Sequence, residues 1–157
     1  MRVRFFSAQC FADAFTSAAR TITFALQSVC DEIPGFKEWY SERQKALKDD
    51  PLARFFHRYR TASVHVGDTV VRGGATETGP DGITRVLYFF IEVSDIPDPP
   101  AEDVYGACRT FFVTLLRLVL DMYKAFPFAI DDRWYFTQEN FEHLNKSIED
   151  AEEELGF

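Results

Sequence analysis

The sequence predicts a mainly α-helical protein, an up-and-down bundle of four to five helices with a β-hairpin inserted around residues 66–93. Over most of the chain, apolar residues recur every three to four positions, which is the period of a helix buried on one face. Proline and glycine separate these segments. One middle segment is instead rich in Val, Tyr, Phe and Ile, the composition of a strand. The length suits one core, so we expect a single domain over residues 1–157.

The first two helices are predicted from apolar spacing and from the turn between them. The first covers residues 8–30, with these apolar positions: Phe11, Phe15, Ala18, Ile22, Leu26 and Val29. Pro34 and Gly35 end it, because proline disfavours helical geometry in the residue before it and glycine supplies a turn. A second helix is expected over residues 36–47.

The third helix is predicted to begin at Asp50 and Pro51, since an N-cap carboxylate followed by proline at the first position is a typical helix start. One arc of about 120° collects its apolar side: Leu52, Phe55, Phe56, Tyr59, Ala62, Ser63 and Val66. The opposite side collects Arg54, Arg58, Thr61 and His65, with Arg60 near the edge of the apolar arc. Gly67 and Asp68 predict its end.

The remaining chain is predicted to hold a hairpin and two more helices. Residues 69–72 and 84–93 have strand composition, and residues 73–83 are expected to form a long flexible loop. The glycines of that loop lack the spacing of a phosphate-binding loop. The helix over residues 102–126 is apolar nearly all round, which favours a central core helix or an oligomer interface. A last helix is expected over residues 137–155.

Charge is unevenly distributed along the sequence. The net charge is −8, which does not favour broad nucleic-acid binding. Residues 37–72, however, carry eight Lys and Arg against five acids, and residues 138–157 carry seven acids against one Lys. A basic middle and an acidic end can steer a polyanion to one face, although the same pattern also occurs on ordinary solvated helix surfaces.

Several classes of protein are not indicated. No apolar stretch approaches the roughly 20 residues that span a membrane, and Gln9 and Asp13 interrupt the segment where a secretory leader would be. Three widely spaced cysteines, Cys10, Cys30 and Cys108, suggest neither a disulfide framework nor a zinc site. We therefore expect free thiols, a cytoplasmic location, and no metal or other cofactor.

The motif that points to chemistry is an arginine followed, after four residues, by a histidine at the end of the third helix. In this sequence the pair is Arg60 and His65. It resembles the motif of the HEPN superfamily (higher eukaryote and prokaryote nucleotide-binding domains), and the resemblance extends over the helices from about residue 8 to residue 126. Members of that superfamily are helical bundles, usually dimeric, and many are metal-independent ribonucleases of toxin–antitoxin and phage-defence systems.

The resemblance implies a set of site residues and partners. It makes Arg60 and His65 the candidate catalytic pair, acting on RNA in a homodimer that an antitoxin protein can bind. The neighbouring candidates for substrate binding are Arg54, His57, Arg58 and Thr61. The chemistry is coherent, because an imidazole can move the proton of a 2′-hydroxyl near neutral pH and a guanidinium binds phosphate with a planar fork. Thr61 departs from the family, which often has Asn, Asp or His there.

Helix geometry sets a condition on this pair. Five residues along a regular α-helix place Arg60 and His65 about 140° apart around its axis. The two side chains meet only if the helix unwinds near residues 63–67, or if a second subunit completes the cleft. Otherwise Arg60 bonds a neighbouring helix terminus and His65 is a capping or surface residue.

Two other functions compete with RNA cleavage. The −8 charge, Thr61 and the hairpin favour a catalytically inactive, dimeric helical module that acts in interaction or regulation. An aromatic core, with 17 Phe, 6 Tyr and 2 Trp in the chain, is also able to line an apolar pocket for a small ligand, although such stripes usually serve packing.

Overall fold

The structure, a computed structural model, describes residues 2–65, 70–93 and 98–127, with the side chains of residues 2–6 and 63–65 left aside. The chain divides into two compact units, Met1–Leu115 and Leu116–Phe157. The first unit contains every element described below except the second half of the last helix, which belongs to the second unit. The expectation of one domain over residues 1–157 stays a prediction.

The predicted fold class is confirmed in the part of the chain that the structure describes. Helices and strands follow in the order α1 Arg2–Cys30, α2 Phe36–Asp49, α3 Pro51–His65, β1 Val71–Thr78, β2 Thr84–Phe90 and α4 Val104–Ala125. The two strands form an antiparallel hairpin inserted between α3 and α4. The helix predicted over residues 137–155, which contains His143, lies outside the described residues.

Helix α1 has the predicted period, but its buried face is displaced by about one residue from the predicted stripe, with Leu26 common to both and Phe15 packed against the core. Its buried residues are Ala12, Thr16, Ala19, Thr23, Leu26 and Cys30. Phe11 and Val29, which belong to the apolar stripe of the sequence, are 74% and 79% exposed. The helix therefore turns small residues toward α3, which it packs against, and leaves an aromatic ring outside.

The corner between α2 and α3 is fixed by local hydrogen bonds. Gly35, with a φ of 81°, provides the left-handed turn before α2. At the other end of α2, the Asp50 carboxylate accepts a bond of 2.8 Å from the backbone N–H of Ala53, which confirms the predicted N-cap of α3. Arg54 donates to the carbonyl oxygens of Lys48 and Asp49, at 3.5 and 3.3 Å, and so satisfies the end of α2.

The hairpin corrects the prediction of a long flexible loop over residues 73–83. Strand β1 continues through Gly73 and Gly74 to Thr78, and only residues 79–83 form the turn. The register slips between Gly73 and Ala75, as in a β-bulge. A Cβ on Gly74 would lie 3.3 Å from the ring of Phe89. The glycine is thus part of the strand, where its missing side chain makes room for a ring.

Aromatic rings from α3 and the hairpin form the core of the first unit. Tyr59 and Phe56 are 0% and 1% exposed, and Phe90 of β2 contacts both rings edge-on at centroid distances of 5.3 and 5.8 Å. The predicted apolar arc of α3 is confirmed where its residues are described, because Phe55 and Ala62 are buried as well.

One polar network ties the hairpin to α1 and α3. The Gln9 side-chain oxygen accepts bonds from the backbone N–H groups of Val70 and Val71, at 3.2 and 3.1 Å. Its amide nitrogen donates to the Tyr59 hydroxyl at 2.7 Å, and that hydroxyl donates to Asp13 at 2.8 Å. Burial and the neighbouring Asp13 charge raise the pKa of Tyr59 far above its ordinary value. The network fixes the start of β1 on the helices.

Helix α4 begins at an N-cap that the sequence analysis did not identify. The Asp103 carboxylate accepts a bond of 2.9 Å from the backbone N–H of Gly106. Ala107, Val113 and Leu115 are buried, whereas Tyr105 and Phe112 are 67% and 45% exposed. None of the described helices combines the length and apolar character needed to cross a membrane.

Candidate anion-binding cleft

A cleft of about 420 Å³ lies in the first unit, between α1, α2, α3 and the first half of α4. Each helix contributes residues at helical spacing. They are Thr16, Ala19, Arg20 and Thr23 from α1; Tyr40, Gln44, Leu47 and Lys48 from α2; Ala53, Arg54, Phe56, His57, Arg58 and Arg60 from α3; and Phe111 and Leu115 from α4. The cleft therefore depends on the packing of the helices and not on one contiguous motif.

The charge of this cleft is of one sign. Five cationic side chains line it, and these are Arg20, Lys48, Arg54, Arg58 and Arg60. His57 stands among them, and no Asp or Glu is part of the described lining. The chain as a whole carries −8, so the cleft is a local reversal of the molecule's charge. A concave surface lined by one sign of charge concentrates ions of the other sign.

Several of these cations keep their head groups available. Arg58 and His57 are exposed, and neither side chain forms an ion pair with a described residue. Lys48 is also exposed and makes only a long bond of 3.5 Å to the Gln44 side-chain oxygen. Since no carboxylate pairs with Arg58 or Lys48 within the described residues, the charge of these two side chains can act on a ligand.

Arg20 and Arg54 are held more firmly. The guanidinium carbon of Arg20 lies 4.2 Å from the centroid of the Phe24 ring, a cation–π distance. The bonds from Arg54 to the end of α2 hold it close to Lys48. Arg60 is half-buried, as expected for a residue near the edge of the apolar arc. The rim thus combines guanidinium groups that contact a ring or a helix end with side chains that make no such contact among the described residues.

The structure brings four of the predicted site residues together. Arg54, His57, Arg58 and Arg60 all line the cleft. Thr61 is exposed, does not line the cleft, and donates its hydroxyl to the backbone oxygen of His57 at 3.2 Å. It acts locally on α3.

The geometric condition on Arg60 and His65 is only partly described. Helix α3 continues through His65, and residues 66–67, the rest of the segment where unwinding is expected, lie outside the described residues. The α-carbons of the two residues then lie about 140° apart around the helix axis. The His65 side chain lies outside the described part of the structure. That the pair acts together, through unwinding near residues 63–67 or through a second subunit, stays a prediction.

Sequence reasoning missed several residues of the cleft. Lys48 belongs to the basic segment of the sequence but has no local signal of a site residue, and Arg20 lies outside that segment. Arg20 is 40 positions from Arg60 in the sequence, so only the packing of α1 on α3 shows that both belong to one site. Nothing in the sequence beyond the helical period of α2 indicates that Tyr40 and Gln44 belong to the cleft.

The thiols show no metal chemistry in the described part of the molecule. No group of three His, Cys, Asp or Glu residues is placed there to hold a metal ion. Cys10 is exposed and Cys30 is buried. Burial, together with the Asp103 charge, raises the pKa of Cys108 to about 12. These three cysteines are free.

The fold and the cleft define a helical protein with a basic concave site, and comparison with known proteins adds one similarity. Residues 4–73 match a family model described as bacteriophage lambda protein ea47. The match covers under half of the 157 residues, and it includes the cleft residues of α1, α2 and α3 but not those of α4. No curated protein and no solved structure matches the chain.

Proposed function

We propose that this protein binds RNA through the basic cleft and that it is a HEPN-like component of a toxin–antitoxin or defence system. The observation that carries the proposal is the lining of the cleft: five cations and no carboxylate in a chain of net charge −8. Phosphate contacts by Lys and Arg supply most of the affinity in non-specific nucleic-acid binding. Guanidinium groups suit this task because they form two parallel bonds to one phosphate.

Salt dependence tests the binding. Affinity for a fluorescent RNA is measured by anisotropy from 50 to 300 mM salt, for the wild type and for Lys48→Ala and Arg58→Ala. Each variant is expected to weaken binding at every salt concentration and to reduce the slope of log affinity against log salt by about 1 or slightly less. Lys45→Ala and Arg72→Ala are matched controls, because both side chains are exposed and neither lines the cleft. Equal losses in all four variants would contradict the proposal.

Cleavage of the bound RNA is the second part of the proposal. It requires an imidazole beside a guanidinium. His57 lines the same cleft as Arg60, whereas His65 is the partner of Arg60 that the motif suggests. We therefore propose that Arg60 and a histidine cleave RNA without a metal. His57→Ala and His65→Ala, assayed separately on an RNase-free preparation, identify which histidine acts. Intact RNA at high wild-type concentration would reject cleavage but leave binding untouched.

A second candidate function, a dimeric interaction module, is favoured by an exposed apolar surface. Phe11 and Tyr105 are 74% and 67% exposed, and with Val86 they line a second groove in the first unit. Exposed aromatic rings around one groove are typical of protein–protein contacts. We propose a homodimer through this groove. Phe11→Ser with Tyr105→Ser is expected to give monomers in sedimentation experiments, with exposed Ile83→Ser as the control.

The proposed antitoxin partner has a direct test. The product of the adjacent gene is co-expressed with the chain and tested for a stable complex. In the toxin hypothesis it binds and suppresses RNA cleavage. A complex that persists in Arg60→Ala and in a protein without nuclease activity would instead favour the inactive interaction module.

A further inference from the structure

The floor of the basic cleft is apolar, in contrast to its rim. The rings of Phe56 and Phe111 stack with centroids 4.9 Å apart and planes at 12°. Phe56 and Leu115 are each only 1% exposed, so the accessible apolar surface of the floor comes from Phe111 and Leu47, which are half-buried. A ligand that touched only the cations would leave this apolar surface uncovered. The combination fits a ligand with a flat, weakly polar end and an anionic end, which is the chemistry of a nucleotide.

Of the two uncharged polar side chains that α2 contributes to the cleft, Tyr40 and Gln44, Gln44 is the one open to such a ligand. The Tyr40 hydroxyl is already engaged, since it accepts a bond from Gln27 at 3.1 Å and donates to the Thr23 backbone oxygen at 3.5 Å. Gln44 lines the cleft and is half-buried, and its amide N–H groups donate to no residue in the described ranges. A planar amide can pair with the edge of a nucleobase.

The size of the cleft decides between paired and unpaired RNA. A volume of about 420 Å³ falls within the range of roughly 300–1,000 Å³ that holds small ligands. In an RNA duplex the bases are stacked inside and only the backbone and groove edges face a protein. A duplex therefore contacts the rim but cannot deliver a base to the floor. An unpaired nucleotide can do both.

We infer that the cleft takes one unpaired nucleotide of a single-stranded RNA, with its base on the floor formed by Phe111 and Leu47 and its flanking phosphates on the rim cations. This inference rests on the proposed RNA binding and makes it specific. It assigns the floor to recognition of unstacked bases, which every base can satisfy through its flat face.

Three oligomers of equal length test this inference with the full chain. They are a single-stranded RNA of mixed sequence, the same strand annealed to its complement, and a ribose-phosphate strand without bases. Anisotropy at one fixed salt concentration is expected to show about tenfold weaker binding of the duplex and of the abasic strand, near the lower end of the effect of one base–aromatic contact. Equal affinity for all three would overturn the inference while leaving phosphate binding intact.

A different result is expected if the protein does not bind RNA through the basic cleft. In that case none of the three oligomers binds in a way that depends on Lys48 and Arg58. If free nucleoside monophosphates compete as well as the single strand, the site belongs to a small ligand and the assignment to RNA is wrong.

A variant of the floor separates base contact from phosphate contact. Leu47→Gln keeps the size and neutrality of the side chain but makes the floor polar. We expect affinity for the single strand to fall several-fold and affinity for the abasic strand to stay unchanged. Ile83→Gln, at a position that is 57% exposed in the hairpin turn and outside the cleft, is the matched control. Parallel losses for both oligomers in Leu47→Gln would refute the role of the floor.

Gln44→Ala provides a second measurement on a side chain that is not part of the buried core. It is expected to reduce the differences in affinity among strands with a different central base, without changing the salt slope. Ser41→Ala, exposed on the same helix, is the control. Unaltered base preference in Gln44→Ala would remove the amide from the inferred site.

Discussion

At the scale of single residues, the three thiols occupy different environments. Cys10 is exposed on α1, whereas Cys30 is 4% exposed and burial raises its pKa. The pKa of Cys108 is raised to about 12 by burial and by the charge of Asp103. Because the thiolate is the reactive form, we expect a thiol reagent at pH 8 to modify Cys10 rapidly, the half-buried Cys108 much more slowly, and the buried Cys30 only on unfolding. Mass spectrometry of peptides after timed labelling measures this. Labelling of Cys108 as fast as that of Cys10 would contradict the raised pKa of the Cys108 thiol.

The raised pKa of Cys108 also predicts how stability depends on pH. In the unfolded chain the thiol titrates near 9, while in the folded chain it stays protonated to about 12. The folded state therefore holds more protons over that interval, and the free energy of unfolding falls as pH rises from about 9 to about 12. The raised pKa of Tyr59 acts in the same direction at the upper end of this interval. Urea unfolding at pH 8 and pH 10.5 measures the loss.

Cys108→Ala isolates the thiol's share of this alkaline effect. The variant lacks the titrating group, so its stability is expected to fall less between pH 8 and pH 10.5 than that of the wild type. Cys10→Ala is the control, because Cys10 is exposed. An identical pH profile in wild type and Cys108→Ala would mean that other groups carry the whole dependence.

At the scale of elements, Gln9 links α1 to the start of the hairpin. Its oxygen is the acceptor for the backbone N–H groups of Val70 and Val71, two residues that are 0% exposed. Removing the acceptor leaves buried donors unsatisfied, at a cost of about 1–3 kcal/mol for each. We expect Gln9→Ala to lower the free energy of unfolding by about 2–6 kcal/mol in urea titrations.

The control for that measurement is Gln27→Ala on the same helix. Gln27 donates to the Thr23 backbone oxygen and to the Tyr40 hydroxyl, and it accepts no bond from a buried backbone N–H in the described structure. Gln27→Ala is expected to lower the free energy of unfolding by about 1 kcal/mol. A similar cost for both variants would show that the hairpin is not anchored through Gln9.

The elements also show what the sequence could predict. Helix caps and turn residues are local signals. Asp50 and Pro51 therefore predicted the start of α3 correctly, and Pro34 with Gly35 predicted the turn before α2. The strand character of Gly73 and Gly74 was not predictable, because it comes from pairing with β2 and from space for the Phe89 ring. The strand pairing and the packing of the ring both depend on residues distant in the sequence, so no local pattern predicts them.

The prediction of the buried face of α1 failed for a related reason, because the face that is buried depends on the neighbouring helix. Hydrophobicity alone selects Phe11 and Val29 as core residues, yet the helix buries Ala12 and Thr16 instead. Thr16 is accommodated because its hydroxyl donates to the Ala12 backbone oxygen at 2.7 Å. Close helix packing favours small side chains, and a bonded threonine is one of them. The period of a helix is therefore more predictable than the face that a neighbour covers.

At the scale of the whole molecule, the decisive feature is the contrast between a net charge of −8 and a cleft of five cations. The sequence located part of this contrast, since Arg54, His57, Arg58 and Arg60 come from one basic segment. It could not add Arg20 of α1, which only packing brings to the site. Net charge alone would have argued against a polyanion partner, whereas the arrangement of charge argues for one.

This contrast leads to a prediction that compares two variants of equal net charge. Lys48→Glu with Arg58→Glu, and Lys45→Glu with Arg72→Glu, each change the charge by −4, from −8 to −12. The first pair lines the cleft, and the second consists of exposed residues outside it. If local charge governs polyanion binding, retention on a heparin column is expected to be lost in the first variant and nearly kept in the second. Equal loss in both would show that the molecule responds to its total charge, and the cleft would then have no special role in binding anions.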